Sequence, residues 1–251
     1  MKVKNFILIK LFFIFIILIN SNVAKAGDCD TTVSNSLTSQ LECSDNDTLN
    51  VAISGSVIKT GADTIHAKNH SDVTIDNKGT ISASTNQAIN MQHAVNTTVT
   101  NSGTIEATLR NAILMDGDNA DSNTINNSGT LKAGKKQVIL ATNSENTTII
   151  NSGSIETTNS SNPNTNGINY YNTSGSAING ATITNSGTIF AYGTGIRFGT
   201  QGNANKTVND MTITNSGTIE GGTASIEVYN DNTTGTNIIT KGEGTYIGEI
   251  T

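Results

Sequence analysis

Asp116, Asp118 and Asp121 stand close together in a Gly-Asp-Asn-Ala-Asp stretch. A pair of carboxylates is what most glycosidic cleavage requires, one protonating the leaving oxygen while the other attacks or activates water. Here they lie between repeats, where the bland expectation is a solvated turn. A polysaccharide lyase would add calcium and a basic group, yet Arg110 and Arg197 come from different repeats and have no acidic cluster beside them. His66 and His70 are four apart, a spacing that suits zinc only on a helix. Their segment reads as strand and turn, and no Glu lies between them. His93 occupies an equivalent place one repeat on, and all three histidines are expected to be solvated. Asp45-Asn46-Asp47 offers a cation only two acids. There is no Gly-x-Ser-x-Gly elbow, no Gly-Asp-Ser-Gly peptidase signature, no phosphate-binding loop and no calcium-binding nonapeptide repeat. No catalytic residue, metal site or cofactor is expected.

The chain opens with Lys2, Lys4 and Lys10, continues through an apolar run from Phe12 to Ile19, and reaches Ala24-Lys25-Ala26. That is the order of a secretory signal peptide over residues 1–26. Lys10 and Asn20 interrupt the apolar run, which is too short for the roughly 20 residues a membrane-spanning helix needs. Removing it takes four of the 14 basic residues and leaves 20 acidic ones, so the mature charge is about −10. Such a surface repels the phosphate backbone, and nucleic acid is not an expected partner. Cys29 and Cys43 are the only cysteines. In an exported chain an isolated close pair is expected to form a disulfide, here closing an N-terminal cap over residues 27–47. A metal site at that pair lacks a third ligand at the right spacing.

The elements that must position these residues are copies of one phrase. Thr-Ile-x-Asn-Ser-Gly-Thr-Ile recurs, with local substitutions, around Asn77, Asn101, Asn127, Asn151, Asn185 and Asn215, in steps of 24, 26, 24, 34 and 30 residues. A period of that size marks a repeat architecture. Counting from each Asn, an Ile or Val stands two before and an Ile or Leu four after, followed by a mostly small residue at six. Even offsets share one side of an extended chain, so these side chains face a common interior. The Gly at offset two is read as permitting a bend. A second apolar cluster comprises Ile65, Ile89, Ile113 and Ile139, continued by Ile196 and Ile226. Three short strands per repeat, divided by Gly-, Asn- and Ser-rich turns, predict an all-β right-handed parallel β-helix of about seven to eight coils over residues 48–251.

Stacked coils give the Asn column a role: each side-chain amide bonds the Asn of the next coil. Thr74, Thr98, Thr124, Thr148, Thr182 and Thr212 form an outward column. Around Ile53 the phrase survives with Ile in place of the ladder Asn, as in a capping coil. At the other end, Gly244-Thr245-Tyr246 echoes Gly-Thr-Ile with no polar cap after it, so the chain is expected to be truncated. Asn-x-Ser/Thr sequons at Asn96, Asn146 and Asn232 are read as by-products of an Asn- and Thr-rich repeat.

The signal sequence, the early cysteine pair and the Asn-Ser-Gly-Thr-Ile repeats together resemble the passenger region of a Gram-negative autotransporter (type V secretion). The resemblance runs from about Ser44 to Thr251. It implies a passenger carried across the outer membrane by a β-barrel translocator and then displayed on the cell surface or released. No barrel pattern follows the repeats, so the resemblance places the barrel in a missing C-terminal part or in a separate chain.

The expected function is therefore a secreted or cell-surface β-helical stalk or adhesin, without catalysis, presenting loops to a host or matrix glycan or protein. An insertion from Thr157 to Gly167 lengthens one coil by about ten residues. With Asn159, Asn162, Pro163 and the following Tyr170 and Tyr171, it is the first place to look for recognition. The alternatives are a polysaccharide-degrading β-helix enzyme and an ice-binding solenoid. The latter draws on Thr98-Val99-Thr100, Thr182-Ile183-Thr184 and Thr212-Ile213-Thr214.

Overall fold

The structure is a computed structural model that describes residues 28–118, 120–162, 164–171, 173, 178–199, 208–228, 238–241 and 244–250. The expected signal peptide, Pro163 and Asn232 lie outside the described residues.

Thr-Ile-x-Asn alternates outward and inward side chains, and β-branched residues at its start favour an extended backbone. Each copy is a strand. Thr74–Asn77, Thr98–Asn101, Thr124–Asn127, Thr148–Asn151, Thr182–Asn185 and Thr212–Asn215 pair in parallel, Ile on Ile or Val and Asn on Asn. With Thr31–Val33 and Thr48–Val51 before them and Ile238–Lys241 after, they make a nine-stranded first face. The Gly-Thr-Ile half of each repeat supplies a second face: Ser56–Lys59, Thr80–Ala83, Thr104–Ala107, Thr130–Ala133, Ser154–Thr157 and Thr188–Ala191. A third face runs from Leu41–Glu42 and Ile65–His66 through Ile89–Asn90, Ile113–Asp116, Ile139–Thr142 and Ile168–Tyr171 to Thr194–Phe198. The strand Thr218–Val228 passes through the corner between the second and third faces and joins them into one sixteen-stranded sheet. The protein is a parallel β-solenoid of about seven turns.

Its interior is a stack of short columns. Ile75, Val99, Ile125, Ile149, Ile183 and Ile213 are fully buried, as are Ile81, Ile105, Leu131, Ile155, Ile189 and Ile219. The third face contributes Ile65, Ile89, Ile113, Ile139, Ile168, Ile196 and Ile226. The outward Thr column is half-buried to exposed, as alternation demands.

Two corners explain the small residues. A Cβ on Gly103 would sit 2.1 Å from the carbonyl oxygen of Gly79, and the same clash recurs at Gly129, Gly153, Gly187 and Gly217. These glycines are therefore demanded by close stacking of one coil on the next, not by the bend expected from the sequence. At the corner leading into the first face, Asn46, Asp72, Asn96, Ser122, Asn146, Gly180 and Asp210 all have positive φ. Short polar side chains and glycine tolerate that conformation best. Each of the first six donates its N–H to a carbonyl of the following coil. A left-handed Asn two residues before an outward Thr is a sequon, so Asn96 and Asn146 follow from corner geometry.

The N-terminal coil corrects one register. The sequence aligns Ile53 with the ladder Asn, but Val51 pairs with Asn77 and Val57 with Ile81. Two extra residues bulge at this corner, and Ile53 is 84% exposed. The cap is fastened by a disulfide between Cys29 and Cys43, both buried.

Candidate functional site

The six ladder asparagines are buried, and each side-chain Nδ2 from Asn77 to Asn185 donates to the Oδ1 of the next at 2.7 Å. The same Nδ2 contacts the carbonyl of the Gly two residues on and a carbonyl at the start of the next second-face strand, as Asn127 does with Gly129 and Ser154. Surrounding carbonyls reject an amide oxygen, so all the amides point the same way. The polarity has an end. Val51 stands level with Asn77 and offers no donor, leaving the Asn77 Oδ1 buried without a partner. The ladder is structural: its polar groups are turned inward and consumed by one another.

The acids and histidines do not assemble. Asp118 accepts from the Asn143 side chain at 2.9 Å and Asp121 from the Glu145 backbone N–H at 2.9 Å. Burial pushes the Asp116 carboxyl up from its ordinary value, opposed by the charge of His93. Asp118 and Asp121 thus brace the coil that follows. The histidines are not simply solvated, as expected from the sequence. His66 Nδ1 lies 2.5 Å from Glu42, and His70 Nδ1 lies 3.2 Å from Asp45, so both tie the first coil to the cap. The Ser71 backbone N–H and then His70 hold the Asp45 carboxyl below its ordinary pKa. His93 is level with Asn69 and Gly117, one position away from His70, because the hydrogen bonds from Asn69 and His93 fix that register. Arg197, without an acidic partner in the sequence reading, meets Glu227 of the next coil at 3.3 Å. Arg110 is exposed. Asp47 closes a local turn by accepting from the Ser44 N–H at 2.6 Å. Among the described residues no group of three or more potential ligands could hold a metal ion.

The recognition loop divides. Tyr170 is fully buried, a correction to its expected place in that loop. Ile168 and Tyr170 continue the third-face columns of Ile139 and Ala141, so alternation turns Tyr170 inward. Its ring stacks on Phe198 at a centroid distance of 5.3 Å, its hydroxyl meets Thr147 Oγ1 at 2.5 Å, and burial raises its pKa. Tyr171 points outward in register with Thr142 and is half-buried. The lengthening is also split. Ile155 to Ile168 spans thirteen positions where Leu131 to Ile139 spans eight, and the remaining extra residues fall after Tyr171. Asn159 and Asn162 cap their own turns, accepting from Ser161 and Asn164 N–H groups at 3.0 Å. Asn162 Nδ2 also reaches the Lys135 carbonyl at 3.3 Å.

Sequence reasoning missed what this loop encloses. Tyr192 N–H donates to Thr157 Oγ1 at 3.0 Å and Gly193 N–H to the Thr165 carbonyl at 2.9 Å, so both ends of the insertion flank Tyr192 on the next coil. Its neighbour Phe190 lies at an odd offset from Asn185, which the alternation rule reads as outward. That signal was in the sequence.

The chain matches no family model, no curated protein and no solved structure. No helix long and apolar enough to cross a membrane occurs among the described residues.

Proposed function

We propose that this protein is a secreted or surface-displayed β-solenoid stalk of the autotransporter-passenger kind, without catalysis, presenting loops for adhesion. The observation that carries it is the constancy of the coils. From Asn77 to Asn215 one register of Ile, Asn and Gly is kept, while Asp118, Asp121, Lys132 and Arg197 brace neighbouring coils. A stack of that kind is rigid and extendable, with each coil supported by its neighbours. Function then resides in what departs from the repeat, above all the insertion after Thr157. Its expected partners are an outer-membrane β-barrel translocator and a host or matrix ligand, in a Gram-negative bacterium. Protease shaving of intact cells carrying the complete gene tests display: release of solenoid fragments supports it, and full protection overturns it. Incubation of the purified chain with acidic polysaccharides tests the other half, since appearance of new reducing or unsaturated ends would make it an enzyme.

A second reading has one observation in its favour. Thr98, Thr124, Thr148, Thr182 and Thr212 stack in register on the outer first face, as an ice-binding surface would require. Asp76, Asn126 and Ile150 interrupt the companion column. Absence of thermal hysteresis removes this reading.

A further inference from the structure

We infer that the outward aromatic pair Phe190 and Tyr192 binds the apolar face of a neutral or amine-bearing sugar ring. This rests on the adhesin reading and names its ligand class.

Positions level with Phe190 in other coils hold Ile58, Ser82, Glu106, Lys132, Glu156, Glu220 and Ile247. Those level with Tyr192 in the preceding coils hold Ser84, Thr108, Gly134 and Thr158. The Phe190 column also exposes Ile58 and Ile247 in the end coils, but among the described residues only one coil carries aromatic rings in both columns. The solenoid gains no interior from them, because both side chains leave the core and remain half-exposed. They pack edge to face, with centroids 5.0 Å apart and planes at 79°. One ring thus offers a face while the other walls it.

The surroundings complete the site. On the preceding coil stands the insertion, with half-buried Asn159 and Asn162. On the following coil Gly222 carries no side chain, and a Cβ there would lie 2.4 Å from the Tyr192 carbonyl oxygen. The aromatic pair therefore stands between the insertion on the preceding coil and an open step on the following one. Glu156 and Glu220 flank Phe190 in register. Glu156 is already bonded to Lys132 Nζ at 2.8 Å.

Aromatic floors with a few fixed polar groups are how proteins hold small polar molecules that have an apolar face. A pyranose is such a molecule: its axial C–H bonds pack on the π face while its equatorial hydroxyls meet carboxylates at the rim. The two carboxylates accept from hydroxyl or ammonium groups and repel a carboxylated sugar. A purely apolar partner would desolvate the Glu220 carboxylate without bonding it.

The test is saturation-transfer NMR on the purified chain with methyl β-galactoside, N-acetyllactosamine and, as the acidic arm, sialyllactose, followed by titration. Transfer to the ring C–H protons of a neutral sugar is expected, with affinity about tenfold weaker in Tyr192→Ala. Tyr192→Phe should retain binding, and Glu220→Ala, in register beside Phe190, should weaken it severalfold. No transfer to either neutral sugar, undiminished binding by Tyr192→Ala, or preference for sialyllactose overturns the site. If Tyr192→Ala does not fold, amide shifts induced in the unaltered chain by N-acetyllactosamine decide the matter. Shifts at Glu156–Asn162 and Phe190–Gly193 support the site; shifts elsewhere overturn it. Cleavage of a sugar would sink the non-catalytic stalk while leaving the binding site standing. Absence of both binding and cleavage sinks the site alone.

Discussion

Asn127 accepts from Asn101 and donates to Asn151, whereas Asn77 donates to Asn101 and accepts from nothing. This asymmetry separates two otherwise identical substitutions. Asn127→Ala strands a donor on one side and an acceptor on the other, so it should cost roughly 1–3 kcal/mol. Asn77→Ala removes an acceptor that was already stranded and should cost about 1 kcal/mol less. Urea unfolding of both variants checks this, and equal losses would contradict a one-way ladder. Thr124→Ala, on the outer face, should stay within about 0.5 kcal/mol. Acid titrates a different pair. Because the folded Asp45 pKa is depressed, its contribution is present above the unfolded carboxylate's pKa and is lost as pH falls through the folded value. Amide exchange at Ser71, whose N–H bonds Asp45 at 2.8 Å, should therefore quicken in acid beyond the intrinsic pH effect. In Asp45→Asn that step should vanish.

Each strand is short, and its stability comes from the strands above and below it. Ile125→Ala or Ile149→Ala opens a void that neighbouring coils cannot close, so a loss of about 2–5 kcal/mol is expected. The glycine corners give a sharper test of how closely strands approach. In Gly103→Ala the new methyl meets the Gly79 carbonyl oxygen at 2.1 Å, and forcing two coils apart should cost about 1–3 kcal/mol or more. Gly61→Ala meets nothing within 4 Å, and its φ of +89° is the sole obstacle. Backbone strain of about 1–2 kcal/mol is then the whole effect. Thermal melts of the two variants measure the difference. If Gly61→Ala is the worse, the close-stacking account of the corner is wrong.

A solenoid is close to one-dimensional, so its stability is a sum over coils and the contacts between adjacent coils. Deleting residues 102–127 removes one period, since Asn101 and Asn127 are 26 apart and occupy the same phase. The shortened chain should fold with an unchanged β-type circular dichroism spectrum and a lower melting temperature. Deleting half as many residues should abolish cooperative unfolding, because every later inward side chain would change face or column. At the N-terminal end, the Cys29–Cys43 disulfide closes a loop of sequence separation 14. Replacing both cysteines by Ala should destabilise the cap by roughly 3 kcal/mol. Exchange in central coils should change little.

The sequence by itself determined the period, the three strands per coil and the inward columns. All of these follow from strict alternation copied at fixed phase, and alternation is a local property of an extended backbone. It also placed the ladder asparagines and the cysteine pair. Only the tertiary structure decided which residues stand level where coil length changes. Val51 rather than Ile53 meets Asn77, Tyr170 continues an interior column, Arg197 finds Glu227, and Phe190 and Tyr192 emerge beside the insertion. Those pairings depend on where extra residues are absorbed at the corners. Hydrogen bonds between coils fix that, and no spacing within a single coil contains it.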